Sequence, residues 1–141
     1  MRIDWAIPCA NARIEDDGRV SAIEEFGFDT WYVDPWPSEV EFIVLLRAAG
    51  LPEDFAEDAD RGIEVYLLGP GMDSLLSIEF ELPSGEPGPN HMQGWELNAV
   101  IPVLIQFTPR AEGTHMLEFY VHGRVQPTSL PLWIRAGEPA S

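Results

Sequence analysis

Short runs of β-branched, aromatic and leucine residues recur about every ten residues along this chain, separated by glycine, proline and acidic residues. Residues 63–68 and 75–82 alternate apolar and polar side chains, which is the pattern of half-buried strands. No segment carries a sustained helical period. The pattern predicts an all-β protein, specifically an antiparallel β-sandwich of about seven to nine strands.

The remaining segments are interpreted in the same way. Asp17-Gly18 supplies the turn of an early hairpin, because glycine adopts the positive φ that a tight turn requires. Residues 38–50 contain an unbroken apolar run and are interpreted as a buried strand, with residues 51–60 as a loop holding at most one helical turn. Residues 83–94 form the longest loop. Further strands are expected at residues 2–8, 26–33, 115–122 and 130–135. Residues 98–108, the most apolar segment, are interpreted as a central strand, although Pro102 indicates an edge position or a bulge.

Length and composition set the broad class. The chain of 141 residues is predicted to form a single domain over residues 1–135, followed by a tail over residues 136–141. One cysteine excludes an intrachain disulfide framework. No apolar run approaches the roughly 20 residues of a membrane span. Asp4 lies where a signal peptide would need apolar residues, so a cytoplasmic location is expected.

Charge is spread unevenly along the sequence. The chain has 24 carboxylates, eight arginines and no lysine, a formal net charge of −16. Residues 1–96 hold 21 of the carboxylates against five arginines, whereas residues 97–141 hold three of each and are neutral. Because phosphate binding depends on lysine and arginine, the balance disfavours direct binding to nucleic acid or to an anionic membrane. A protein partner or self-association is expected instead.

The two ends of the chain carry a resemblance. The N-terminal stretch Ile3-Asp4-Trp5-Ala6-Ile7-Pro8-Cys9 and the C-terminal stretch over residues 113–123 resemble a family of small bacterial β-sandwich proteins that is defined only as a domain of unknown function. The C-terminal stretch is also similar to the last hairpin of immunoglobulin-like and C2-like sandwiches. His115 stands where such sandwiches usually carry a tyrosine. The resemblance implies the fold and no activity or site residue.

Signatures of catalysis and of metal or cofactor binding are weak. Cys9 lies in an apolar setting and is expected to be structural. His115 and His122 are seven residues apart, so on one strand they would point to opposite faces, and no zinc site is expected from them and His91. The acidic residues of the loop 53–60 could supply oxygen ligands for calcium, but their spacing does not match a known calcium loop and a solvated loop is the plainer interpretation. No catalytic pair, cofactor or metal is assigned.

Aromatic and acidic residues provide the candidate sites. A cluster of aromatic residues within six positions could stack on a ligand or anchor a partner, or could belong to the core. Acidic residues at i and i+2 lie on one face of a strand. The candidate partner-binding residues are therefore Trp31, Tyr32, Trp36, Glu79 and Glu81.

Three functions follow from these residues. The first is a non-enzymatic protein-interaction or assembly module. The second is an acidic decoy that occupies the nucleic-acid-binding surface of a basic protein. The third is a small-molecule enzyme or a carbohydrate-binding sandwich that uses Trp31 and Trp36. The first is preferred, because no catalytic signature is present.

Overall fold

The computed structural model describes residues 1–16 and 19–138. Nine strands and one short 3₁₀ turn, Pro52–Phe55, follow one another along the described chain. The strands are β1 (Arg2–Ile14), β2 (Val20–Phe26), β3 (Thr30–Val33), β4 (Val40–Gly50), β5 (Gly62–Leu68), β6 (Ser74–Glu81), β7 (Leu97–Phe107), β8 (Gly113–Val121) and β9 (Arg124–Ala136). No helix in these ranges is long and apolar enough to cross a membrane.

The strands form two packed sheets, which confirms the β-sandwich. The four-stranded sheet has the order β2-β1-β4-β7, and the five-stranded sheet has the order β3-β9-β8-β5-β6. All neighbours are antiparallel except β3, which pairs with β9 in parallel. β7 lies at the edge of its sheet, a position that suits Pro102, and is not the central strand that its apolar sequence indicated.

One hydrophobic core lies between the sheets. Along β4, residues Val40, Phe42, Val44, Leu46 and Ala48 belong to it, and along β8 every second residue does so from His115 onward. Period-two alternation therefore determines which residues pack inward and which lie on the outer faces of the two sheets.

Several predicted boundaries differ from the structure. The strand expected over residues 26–33 is divided between the end of β2 and β3, because Gly27 has a φ of 75° and turns the chain. β1 and β9 are each 13 residues long, because β1 pairs first with β4 and then with β2, and β9 pairs along β8 and then with β3. The Asp17-Gly18 turn and residues 139–141 of the tail lie outside the described residues.

Candidate interaction surface

The outer face of the four-stranded sheet is apolar. The register places Ile7 of β1, Leu45 of β4 and Pro102 of β7 in one row, with Ile43 and Leu104 in the adjacent row. None of the five belongs to the core cluster between the sheets, so all point to the opposite side. We call this set, Ile7, Ile43, Leu45, Pro102 and Leu104, the outer patch.

Exposure within the outer patch falls from its edge to its centre. Leu45 is fully buried, whereas Leu104 on the edge strand is 51% exposed. Val20 and Ile23 of β2 line the same cleft as Leu45, so the centre of the outer patch is not open to solvent. The outer faces of antiparallel sandwiches are usually polar, and contiguous exposed apolar residues mark interaction sites. The outer patch is therefore the strongest candidate for an interface.

Charges near one end of the outer patch neutralise one another. Arg2 Nε lies 2.9 Å from Asp4 Oδ1, and Arg47 Nε lies 3.8 Å from the other oxygen of that carboxylate. Arg2 also makes a two-pronged ion pair with Glu96, with Nη2 2.8 Å from Oε1. The hydrogen bond from Arg2 holds the pKa of the Glu96 carboxyl below its ordinary value. Two arginines balance two carboxylates here.

Glutamates flank the opposite end of the outer patch. Gln106 Nε2 donates to Glu39 Oε1 at 2.8 Å and to Glu41 Oε2 at 3.4 Å. The side-chain amide of Gln106 thus holds these two carboxylates together at this end of the sheet. The outer patch lies between these acids and the balanced cluster of Arg2, Asp4, Arg47 and Glu96.

The outer face of the five-stranded sheet has the opposite character. Glu79 lies directly opposite Glu64 in the ladder between β5 and β6, and Glu81 two residues on lies on the same face. Arg61 Nη2 lies 3.2 Å from Glu81 Oε1. Glu118 of β8 faces the same side. The two acidic candidates, Glu79 and Glu81, are therefore surface residues of an acidic sheet face.

Two tyrosines lie among these acids. Tyr66 and Tyr120 pack edge to face with ring centroids 5.1 Å apart. Tyr66 donates its hydroxyl to Glu64 Oε2 at 2.5 Å, and this bond raises the pKa of Tyr66. Burial raises the pKa of Tyr120, with further contributions from Glu118. Both phenols stay protonated as hydrogen-bond donors at neutral pH.

The structure separates the three aromatic candidates. Trp31 is half-buried against the core, 5.0 Å from Phe28 and 5.6 Å from Phe42 between ring centroids. Trp36 also packs against the core. Tyr32, on the other side of β3, is 38% exposed. Alternation along β3 puts Trp31 and Tyr32 on different faces, and Trp36 lies beyond the end of β3, so the three residues do not form one exposed cluster.

A cleft of about 690 Å³ runs beside the edge strand β7. Residues 97–101 of β7 form its floor. One wall comes from Trp5, Leu45 and Ile23, and the other from Phe55 and the loop at residues 83–86. Arg19 and Glu86 are the charged residues that line it. The cleft is mostly apolar, and no histidine is among its lining residues.

Arg61 organises the acidic loop that was considered for calcium. Arg61 is 8% exposed, and its guanidinium donates to the carbonyl oxygens of Leu82 at 2.9 Å and Glu57 at 2.7 Å. Asp60 accepts from Gly62 N, which lowers the pKa of its carboxyl together with the adjacent His122. Within residues 1–16 and 19–138, no group of three or more histidine, cysteine, aspartate or glutamate side chains could hold a metal ion.

Cys9, His115 and His122 have surroundings that fit a structural role. Cys9 is fully buried, and burial raises the pKa of its thiol. His115 is buried in the core, where Nδ1 lies 2.9 Å from the Gly113 carbonyl oxygen and the ring packs near Phe107. His122 is exposed and lies 3.1 Å from Asp60 Oδ2. The two histidines of β8 and its turn thus face different sides, as their spacing predicted.

Sequence reasoning missed the outer patch, although a signal for it is present. The run Phe42-Ile43-Val44-Leu45-Leu46 is apolar at every position, so both faces of β4 must be apolar wherever it forms a strand. No protein-family model matches the chain, and no curated protein matches it either.

Proposed function

We propose that the protein is a non-enzymatic assembly module that packs against a second copy of itself through the outer patch. The observation that carries the proposal is the apolar outer face of the four-stranded sheet, with Leu104 half exposed at its edge. Two sheets that pack face to face bury their side chains in a layer about 10 Å thick. A second copy presents a sheet of the same shape, as a two-fold interface requires.

Charge favours this face over every other for self-association. Each copy carries a net charge of −16, so two copies repel one another wherever acidic faces meet. The outer patch carries no charged residue, and the Arg2, Asp4, Arg47 and Glu96 cluster beside it is balanced. The outer face of the five-stranded sheet instead carries Glu64, Glu79, Glu81 and Glu118.

Sedimentation equilibrium at low and high NaCl tests the proposal. We expect a dimer that strengthens with salt, because salt screens the repulsion and leaves apolar burial intact. Leu104→Glu should return the protein to a monomer, whereas Thr114→Glu, which adds the same charge to the outer face of the five-stranded sheet, should not. A wild-type monomer at all salt concentrations would contradict the proposal, as would a Leu104→Glu dimer of unchanged strength.

The proposal also covers the type of sandwich, the domain bounds, the location and the family of the protein. We propose an immunoglobulin-like or C2-like sandwich, formed as one domain over residues 1–135, in a cytoplasmic bacterial protein of the family that the chain ends resemble. Residues from eight of the nine strands contribute to one core cluster, which supports a single domain.

The acidic-decoy hypothesis has a narrower basis. Glu64, Glu79, Glu81 and Glu118 on one sheet face support it. Carboxylates also lie at the far end of the other sheet and in the loop after the 3₁₀ turn, so the acids do not form a single row. Salt-sensitive binding of an arginine-rich peptide that is lost in Glu79→Lys would favour this function. The carbohydrate hypothesis rests on Trp31 and Trp36, which pack against the core. The enzyme hypothesis needs a pocket with convergent polar groups, whereas the cleft beside β7 is mostly apolar.

A further inference from the structure

We propose that the edge of β7 at residues 97–101 is a docking site for an extended, apolar peptide segment of another protein, which adds a strand to the four-stranded sheet. The segment would carry basic residues at its ends. This site uses the backbone of β7 and the cleft beside it, so it goes beyond self-association through the outer patch.

The backbone of β7 has an open side. Its ladder with β4 runs without interruption from Gly50–Leu97 to Val40–Phe107, and no other strand among the described residues pairs with it. No backbone hydrogen bond outside the sheets involves residues 97–107 of the described chain. A long unpaired edge of this kind is a template for another strand.

Side chains on both faces of this segment are ready to receive an added strand. Leu97, Ala99 and Ile101 point toward the core and are only half-buried, whereas Val103 and Ile105 farther along β7 are buried. The sandwich is therefore not sealed beside the first half of β7. A paired strand would place alternate side chains toward Phe55 on one side and toward Trp5 and Leu45 on the other.

Charge selects the occupant. Residues 97–108 include no ionisable side chain, and the lining residues Arg19 and Glu86 have opposite charges. An uncharged, apolar strand therefore suits the cleft itself. The net charge of −16 around it attracts basic residues at the ends of that strand.

The walls of the cleft exclude a second copy. The β7 edge of another copy is flanked by the same loop at residues 83–86 and the same residues of β2, so its own walls keep it from entering. A thin segment without flanking structure can enter. This geometry separates the docking site from the proposed dimer.

Pro102 supplies a way to test the backbone pairing. Prolines in sheets lie where the missing N–H would face solvent, so the N–H of Val100, two residues earlier, faces the open edge as well. Val100→Pro should therefore remove a donor to the peptide and leave the ladder with β4 intact. Gln106→Pro is the matched control, because residue 106 has the same orientation on β7 but lies outside both the cleft and the outer patch.

The experiment selects peptides from a displayed library with a random central segment and paired lysines at both ends, and measures binding by fluorescence anisotropy. We expect micromolar binders with alternating apolar residues, weakened about tenfold by Val100→Pro or by N-methylation of alternate peptide amides, and unchanged by Gln106→Pro. Peptide binding should also slow hydrogen exchange of the Val100 amide. The methylated peptides test the pairing in the wild-type protein even if Val100→Pro does not fold.

Three results would overturn the proposal: a library without binders, equal binding of methylated and unmethylated peptides, or protection of amides elsewhere and not on β7. None of these bears on the dimer, which the loss of association in Leu104→Glu tests separately.

Discussion

At the residue scale, Arg61 shows how one buried cation can organise an acidic loop. Its guanidinium joins the carbonyl oxygens of the loop at residues 56–59 to the end of β6, where it also contacts Glu81. An arginine fork suits this position because it presents several donors in fixed directions. Two carboxylates of this loop, Asp54 and Asp60, instead accept hydrogen bonds from the backbone N–H groups of Leu51 and Gly62.

Arg61→Ala should destabilise the fold by about 3 kcal/mol, since several buried carbonyl oxygens lose their donor. Urea unfolding measures the change. Arg124→Ala, at an exposed position at the start of β9, is the control and should change stability by less than about 0.5 kcal/mol. A change at Arg61 no larger than at Arg124 would show that the loop is held by other contacts.

The Arg2–Glu96 pair makes a specific prediction about pH. The pKa of Glu96 in the folded protein lies below its ordinary value of 4.5, so the ion pair contributes stability at neutral pH. That contribution is complete above 4.5 and is lost as the pH falls through the lowered pKa. Glu96→Gln should therefore be less stable than the wild type at pH 7, and the two proteins should converge in acid.

Urea midpoints measured from pH 7 downward test this prediction. Exposed Glu138, changed to glutamine, controls for the loss of one negative charge. A constant difference between wild type and Glu96→Gln across the whole range would mean that the ion pair does not contribute through its charge.

At the scale of elements, β3 shows how alternation assigns neighbouring aromatic residues to different roles. Trp31 packs with Phe28 and Phe42, and adjacent Tyr32 lies on the outer side. Trp31→Ala should cost about 3 kcal/mol, since it removes a large half-buried ring, and Tyr32→Ala should cost less than about 1 kcal/mol. Thermal or urea unfolding of the two variants compares them directly, and equal costs would contradict the assignment of faces.

The ladder between β5 and β6 contains a pair of like charges. Glu64 and Glu79 lie directly opposite one another, an arrangement that destabilises a sheet. Glu79→Lys should stabilise the fold by about 0.5 kcal/mol, and more at low salt. Glu138→Lys changes the net charge equally and serves as the control. If both variants gain the same stability, the effect comes from total charge and not from the pair.

Strands with one apolar face, such as β5, β6 and β8, were predictable because apolar and polar residues alternate within each short segment of sequence. The parallel β3–β9 pairing was not, since it joins residues about 100 positions apart and no local pattern encodes a partner strand. The residues of the candidate sites fall into the same two groups, predictable and not predictable from local sequence. Glu79 and Glu81 were correctly placed on one strand face, but the outer patch depends on the register of three strands.

At the scale of the whole molecule, the outer faces of the two sheets differ in charge, a difference that the net charge alone does not reveal. One sheet turns carboxylates and tyrosines to solvent, and the other turns outward an apolar patch with charged residues, among them Glu41 and Arg47, at its two ends. The neutral C-terminal third of the sequence contributes β7, the edge strand of that apolar surface. We therefore expect the proposed association to use the side where repulsion between copies is least.

The net charge of −16 should also limit the stability of the monomer itself, because like charges repel within one folded chain. The Debye length falls from about 10 Å at 0.1 M salt to about 3 Å at 1 M, so NaCl should stabilise the fold by about 1 kcal/mol over this range. For a domain of this length, that corresponds to a rise in melting temperature of about 3 to 5 °C.

The measurement belongs in the Leu104→Glu background, where dimer formation through the outer patch cannot contribute. Repeating it with KCl separates screening from specific cation binding, since screening depends only on ionic strength. A melting temperature that stays constant or falls with either salt would mean that the carboxylates are spaced widely enough not to oppose folding, and salt-dependent association would then need another cause.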